Sequence, residues 1–259
     1  AVKDNAAGLA LGNVVGSNTA NVLLVLGVPA LLFTLDTSTC DTRKSYITMI
    51  LATALFIGLA FTGTFGWWQG LVLVAALALM LLDLGRDAMV QRNACNGPAA
   101  EEEAVEGADP DLPGWRIADN LVLGSIGLPL AAELLVEGAT DIARSFGMSE
   151  VTIGLTLVAI GTSLPELATT VVAAYRRQAD VALGNVIGSN MFNLLAIIGI
   201  AALIGPIDVG RQFLEVDFWV MLAASLALIP FVFMKLQMTR AWGATFTILY
   251  VIYLVIVLA

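Results

Sequence analysis

The run SEVTIGLTLVAIGTSLPELATTVVAAYRR, residues 149–177, holds Glu166 near the middle of an apolar stretch, directly after Pro165. A carboxylate at the centre of a membrane-length segment costs on the order of 2.5–3.5 kcal/mol by insertion scales, and such residues usually face a cavity or an ion path. Pro165 has no N–H, so the carbonyl of Gly161, four residues back, loses its helical partner, and the ring crowds that turn open. Freed carbonyls, the hydroxyls of Thr162 and Ser163, and the Glu166 carboxylate then fall within about one turn. The donors are all oxygen, which suits hard cations. Na⁺ and Ca²⁺ both fit such a set, and Mg²⁺ fits less well because it dehydrates reluctantly. The competing reading is a proline kink whose glutamate is satisfied by a proton or a neighbouring helix.

A second polar pattern flanks this one and occurs twice. ALGNVVGSN at 10–18 returns as ALGNVIGSN at 182–190, with eight of nine residues shared across 172 positions. Asn13, Ser17 and Asn21 recur every four residues, as do Asn185, Ser189 and Asn193, so each copy carries one polar stripe on a helix. Gly12 and Gly16, and Gly184 and Gly188, form G-x-x-x-G pairs that allow close helix approach. On spacing alone the stripes serve equally as interhelical glue or as the wall of an ion path.

These residues sit in a chain built for lipid. Of 259 residues 59% are hydrophobic and 13% charged, and the mean hydropathy is +0.89; a soluble domain would carry about a quarter charged residues. The reading is an all-α polytopic membrane protein with eight apolar segments, at 8–35, 46–65, 67–84, 119–143, 149–175, 181–205, 216–234 and 241–259. The divisions are a first membrane half at 1–84, an acidic linker at 85–118 and a second membrane half at 119–259. The linker's prolines and its Glu101–Glu103 run predict a solvated connection rather than a folded insert. A net charge of −9 gives no basic footprint for nucleic acid. With no histidine, imidazole metal sites and histidine acid–base catalysis are absent, and Cys40 and Cys95 lack metal-ligand spacing. An enzyme is not indicated.

Nine basic residues fall on one side of this topology (Arg43, Lys44, Arg86, Arg92, Arg116, Arg176, Arg177, Lys235 and Arg240), against Lys3, Arg144 and Arg211 on the other. The bias places the linker in the cytoplasm of a plasma or inner membrane. The two nine-residue copies lie on the first and sixth segments, five crossings apart, so they enter the membrane from opposite faces. That is the pattern of an inverted-repeat transporter. Glu133, Glu137 and Asp141 form a further four-residue stripe, readable as an extracellular mouth or simply as a polar face. Asp36, Asp83, Asp208, Glu215 and Asp217 read as interfacial.

GLTLVAIGTSLPELATTVVAAYRRQADVALGNVIGSNMFNLL resembles the second α-repeat of the sodium/calcium exchanger family, in the cation/calcium exchanger superfamily. GLALGNVVGSNTANVLLVLG resembles the second half of the first α-repeat. The resemblance extends through LAAELLVEGATDIARSFGMSEVTIGLT and covers the chain almost end to end. It implies ten membrane helices, ions bound centrally between four α-repeat helices, Na⁺/Ca²⁺ antiport by alternating access, and no cofactor. It also implies ligands: Glu166 as the central carboxylate, Thr162 and Ser163 beside it, the Ala159 carbonyl one turn earlier, Ser17 and Ser189 from the two G-S-N motifs, and Asn21 and Asn193 four residues on.

Two departures follow. Asn193 stands where many exchangers have aspartate, which leaves H⁺ or K⁺ coupling open as an alternative to Na⁺. AAYRRQAD at 173–180 follows the proline–glutamate segment, whereas its counterpart AVKDNAAG opens the chain. The expectation is an N-terminally truncated exchanger with eight helices of ten, its site completed by the missing N-terminal helices. A passive cation channel on the same ligands is the alternative from a different class; a single inverted repeat favours the antiporter.

Overall fold

The computed structural model describes residues 7–38, 40, 42–94 and 114–258. Helices dominate: α1 (Gly8–Leu32), α2 (Arg43–Ala60), α3 (Trp67–Ala94), α4 (Gly114–Ser145), α5 (Glu150–Thr162), α6 (Leu164–Tyr175), α7 (Ala179–Ile204), α8 (Phe213–Phe233) and α9 (Arg240–Leu258). Among the described residues six helices, α1, α2, α3, α7, α8 and α9, are long and apolar enough to cross a membrane, and the bent pair α5–α6 makes up to a seventh. The eighth expected segment, 119–143, lies on the 32-residue α4. Of the linker, residues 85–94 continue α3 and 114–118 begin α4; the rest, with Cys95 and the Glu101–Glu103 run, lies outside the described residues.

The centre of the bundle is α1, whose span is 83% buried inside the protein against 22–44% for the other five. Its small residues make this possible. A side-chain carbon on Gly12 would lie 2.8 Å from the Val151 carbonyl, and one on Gly16 would lie 2.6 Å from the Leu155 carbonyl. Gly8, Gly12 and Gly16 thus step along Val151, Leu155 and Ala159 in the same direction, so α1 and α5 run parallel in backbone contact. Gly154 completes the seam, with the Leu9 carbonyl 2.6 Å from where its side chain would begin. The second copy behaves differently: nothing lies within 4 Å of that position at Gly184 or Gly188.

Short pairings close the two ends. At one, Leu35 bridges Met238, the Thr37 hydroxyl donates to the Leu236 carbonyl, Arg43 donates to the Phe233 carbonyl at 3.2 Å, and Lys44 meets Asp83 at 2.7 Å. Elsewhere β1 (Thr64–Phe65) pairs antiparallel with β2 (Ile207–Asp208), joined by a Thr64–Asp208 hydrogen bond of 2.9 Å. Except for Lys44–Asp83, which ties α2 to α3, each pairing joins the early chain to the late chain. Asp36, Asp83, Asp208 and Glu215 are exposed. Asp217, unlike the other four, is buried within the protein, at 1% exposed. The reason is that α8 starts at Phe213, three residues before the expected edge, which draws Asp217 inside against α9.

Candidate ion site

The break between α5 and α6 sets the geometry. The two helices meet at 42°, with Pro165 in the first turn of α6 and Ser163 between them. Proline at such a position costs no hydrogen bond, because a first-turn N–H has no helical partner anyway. Close packing at the bend needs Gly161, since a side-chain carbon there would collide with Val136 of α4 at 2.1 Å.

Glu166 opens onto one side of this break. It lines an open cleft of about 350 Å³ together with Gly184, Asn185, Gly188, Ser189, Phe192 and Asn193. Its Oε2 is buried without a hydrogen-bond partner. Asn185 fastens the cleft's floor: its amide nitrogen lies 3.3 Å from the Glu166 carbonyl, 3.0 Å from Thr169 Oγ1 and 3.1 Å from Thr170 Oγ1. On the α1 side of the break Ser17 Oγ lies 2.9 Å from Thr162 Oγ1 and 3.5 Å from the Ala159 carbonyl, and the Thr162 hydroxyl donates to Asn13 Oδ1 at 2.9 Å. Ser163 Oγ and Asn21 Oδ1 are each buried and unpartnered.

The expected ligands therefore fall into two groups flanking one helix break. Glu166, Ser189 and Asn193 share the cleft; Ser17, Thr162 and Ala159 share the α1–α5 seam; Ser163 and Asn21 supply lone oxygens. Six buried side-chain oxygens among the described residues lack a partner, and three belong to Asn21, Ser163 and Glu166. Buried polar atoms are nearly always satisfied, so these three unpartnered oxygens are free to meet a hard cation.

Sequence reasoning passed over Asn18 and Asn190. Asn21 donates to Asn190 Oδ1 at 3.1 Å, and Asn193 donates to Asn18 Oδ1 at 3.0 Å. Adding 172 to 18 and 21 gives 190 and 193, so these are one contact made twice with the copies exchanged. Asn21 and Asn193 also each begin a five-residue π-type turn, Asn21–Val25 and Asn193–Ile197, a local widening common at functional sites. The repeat itself held the signal, since both copies end on asparagine. Glu133, Glu137 and Asp141 are exposed, and Glu133 shares a second cavity, of about 270 Å³, with Ala132, Val136, Thr162 and Pro165.

Comparison with known proteins decides the family. The profile of the family described as sodium/calcium exchanger protein matches residues 1–83 and 120–259. This chain belongs to the sodium/calcium exchanger family. CaxA of Alkalimonas amylolytica is 37% identical over 85% of this chain and 68% of its own length. The sodium/calcium exchanger MaX1 of Methanosarcina acetivorans is 31% identical over 97% of this chain and 80% of its own. The solved structure of the sodium-calcium exchanger NCX_Mj soaked with 2.5 mM Na⁺ and 0.1 mM Ca²⁺ superposes with a TM-score of 0.73 at 29% identity, covering 97% of this chain and 77% of that one. The family is one of ion exchangers, not enzymes, and the fold is that of a helical polytopic membrane protein.

Proposed function

We propose that this sodium/calcium exchanger family member exchanges Ca²⁺ for Na⁺ by alternating access, with Glu166, Thr162, Ser163, the Ala159 carbonyl, Ser189, Asn193, Ser17 and Asn21 as the ion ligands. The observation that carries the reading is the set of unpaired buried oxygens on Asn21, Ser163 and Glu166. Ca²⁺ takes about six to eight oxygens at 2.3–2.6 Å, and Na⁺ draws on the same donor class. Family membership supports antiport over a channel.

The architecture we infer is an inverted repeat. The exchanged asparagine pairs support it, as do the paired loops. In this reading α4 is a further span, giving eight, and 1–84 and 119–259 are the two membrane halves. The 85–118 linker is cytoplasmic, on the side where Arg43, Lys44 and Lys235 gather, in a plasma or inner membrane. The site is completed by a further helix, the counterpart of α5–α6, laid on the open Gly184–Gly188 face as α5 is laid on Gly12 and Gly16. Asn193, an amide that donates to Asn18, brings no charge to the cleft, and that observation favours H⁺ or K⁺ participation as the second reading.

The test is Glu166→Gln in the protein carrying the completing helix. A carboxylate offers Ca²⁺ a charge and up to two oxygens, whereas the amide offers one neutral oxygen. Uptake of Ca²⁺ into vesicles under an outward Na⁺ gradient is expected to vanish while membrane insertion is kept. Uptake at the parental rate in the variant would remove Glu166 from the site.

A further inference from the structure

A second buried carboxyl lies away from the cleft, on a helix that none of the ligands above occupies. Asp217 ends a five-residue π-type turn, Phe213–Asp217, at the start of α8. It is 1% exposed, and the rings of Phe218, next to it in sequence, and Phe213, one turn earlier, are buried to the same degree. Its Oδ1 accepts the Tyr253 hydroxyl from α9 at 3.2 Å, and its Oδ2 is buried with no partner. The ion pairs found among the described residues are Lys44–Asp83, Arg144–Asp141 and Arg144–Glu150, and no cation among those residues is paired with it.

The groups around it are identifiable. From α9 the titratable side chains are Tyr253 and, one turn earlier, Tyr250, which is 1% exposed with an unpartnered hydroxyl. On its own helix Glu215 points to the exterior. From α2 the neighbour of the adjoining Phe218 is the Phe56 ring. Four oxygens at most, from one carboxyl and two phenols, are too few for a desolvated Ca²⁺ or Na⁺ shell. An isolated ionised carboxylate in such surroundings is far costlier than its neutral form. One ligand fits one unpaired oxygen: a proton.

We propose that Asp217 is a proton-binding site buried within the helix bundle, distinct from the cation cleft, and that it carries its proton on Oδ2 at neutral pH. The proton comes from water, and the product is a neutral carboxylic acid that still accepts the Tyr253 hydroxyl on Oδ1. The site is wired to the repeat core: Met221, one turn along α8, receives the Asn18 amide at 3.7 Å, and Asn18 accepts from Asn193.

Infrared spectra of the full chain in lipid bilayers at pH 7 test this, because a carboxylic acid and a carboxylate absorb in separate regions. The wild-type minus Asp217→Asn difference is expected to contain one carboxylic-acid carbonyl band and no carboxylate pair. A Tyr253→Phe variant keeps the acid but removes its donor, and is expected to shift that same band to higher frequency. A difference spectrum holding the carboxylate pair instead would overturn the proposal. Should Asp217→Asn fail to insert, Tyr253→Phe decides alone: movement of an acid band supports the site, and movement confined to the carboxylate bands refutes it.

Discussion

Gly16 and Gly188 hold the same place in the two copies of the repeat and have opposite surroundings, so the same substitution should act on them with opposite sign. At Gly16 an alanine carbon would sit 2.6 Å from the Leu155 carbonyl, 2.9 Å from Leu155 Cα and 2.7 Å from Ala159 Cβ, where ordinary contact begins at 3.4 Å. The obstacles are mostly backbone and cannot swing aside, so α1 and α5 must part by nearly an ångström. Overpacking of this kind costs about 1–3 kcal/mol. Parting the helices also stretches the adjacent Ser17–Thr162 hydrogen bond, worth about 1 kcal/mol, and the gain in helix propensity returns about 1 kcal/mol. The net expectation for Gly16→Ala is a loss of about 1–3 kcal/mol. At Gly188 nothing lies within 4 Å, so Gly188→Ala keeps only the propensity gain of about 1 kcal/mol. With a further helix docked on that face the sign reverses, and the cost should match that at Gly16. Unfolding in detergent micelles titrated with dodecyl sulfate, followed by circular dichroism, measures both variants with and without that helix. Parental stability in Gly16→Ala would refute the α1–α5 seam. A stabilising Gly188→Ala in the completed protein would show that no helix lies there.

Three further outcomes follow from the same geometry. Asn193→Asp replaces the donor to Asn18 Oδ1 with a carboxylate, and Ca²⁺ uptake should acquire a pH dependence that the parent lacks; superimposable pH profiles would place residue 193 away from the ions. Burial raises the Cys40 thiol from 9.0 to about 11, with Asp180 and Asp36 adding to the effect. In a Cys95→Ser background its maleimide labelling should therefore run about 100-fold slower than an ordinary thiol at pH 7 and rise tenfold per pH unit towards 11, and labelling at a free-thiol rate would contradict the buried position. Arg144 forks onto Glu150 at 2.8 and 3.0 Å across the α4–α5 turn, but the pair is exposed. Arg144→Ala should accordingly cost no more than about 1 kcal/mol in the same micelle titration, and a larger loss would mean that the turn bears on the bundle.

What could be read in the sequence was whatever periodicity and spacing encode locally. Glu166 after proline in an apolar run, the doubled ALGNV-x-GSN and the glycine pairs were visible because each is defined by neighbours within a few turns. The cross-pairing of Asn18 with Asn193, and of Asn21 with Asn190, was not, since spacing along a helix cannot say which amide faces another helix. The burial of Asp217 escaped notice for a related reason. Hydropathy begins that segment at 216, yet the helix reaches back through a π-type turn and Tyr253 meets the carboxyl from 36 residues away. The two-residue strands were also out of reach, being too short to show alternation and formed only because two distant loops are brought together.

The Asn21–Asn190 bond spans 169 residues, and that separation bears on how the protein is made. At 5–20 residues per second, roughly 10–30 s pass between synthesis of α1 and the arrival of its partner amides. Throughout that interval α1 presents Asn18 and Asn21 to lipid or to the insertion machinery, although in the finished protein it is the most enclosed of the six apolar spans among the described residues. The helix around which the bundle is organised is thus the one that must wait longest for its contacts. Biogenesis is most vulnerable there, and a ribosome stalled before α7 would leave behind a membrane-inserted intermediate with the amides of Asn18 and Asn21 exposed, ready for quality control to find.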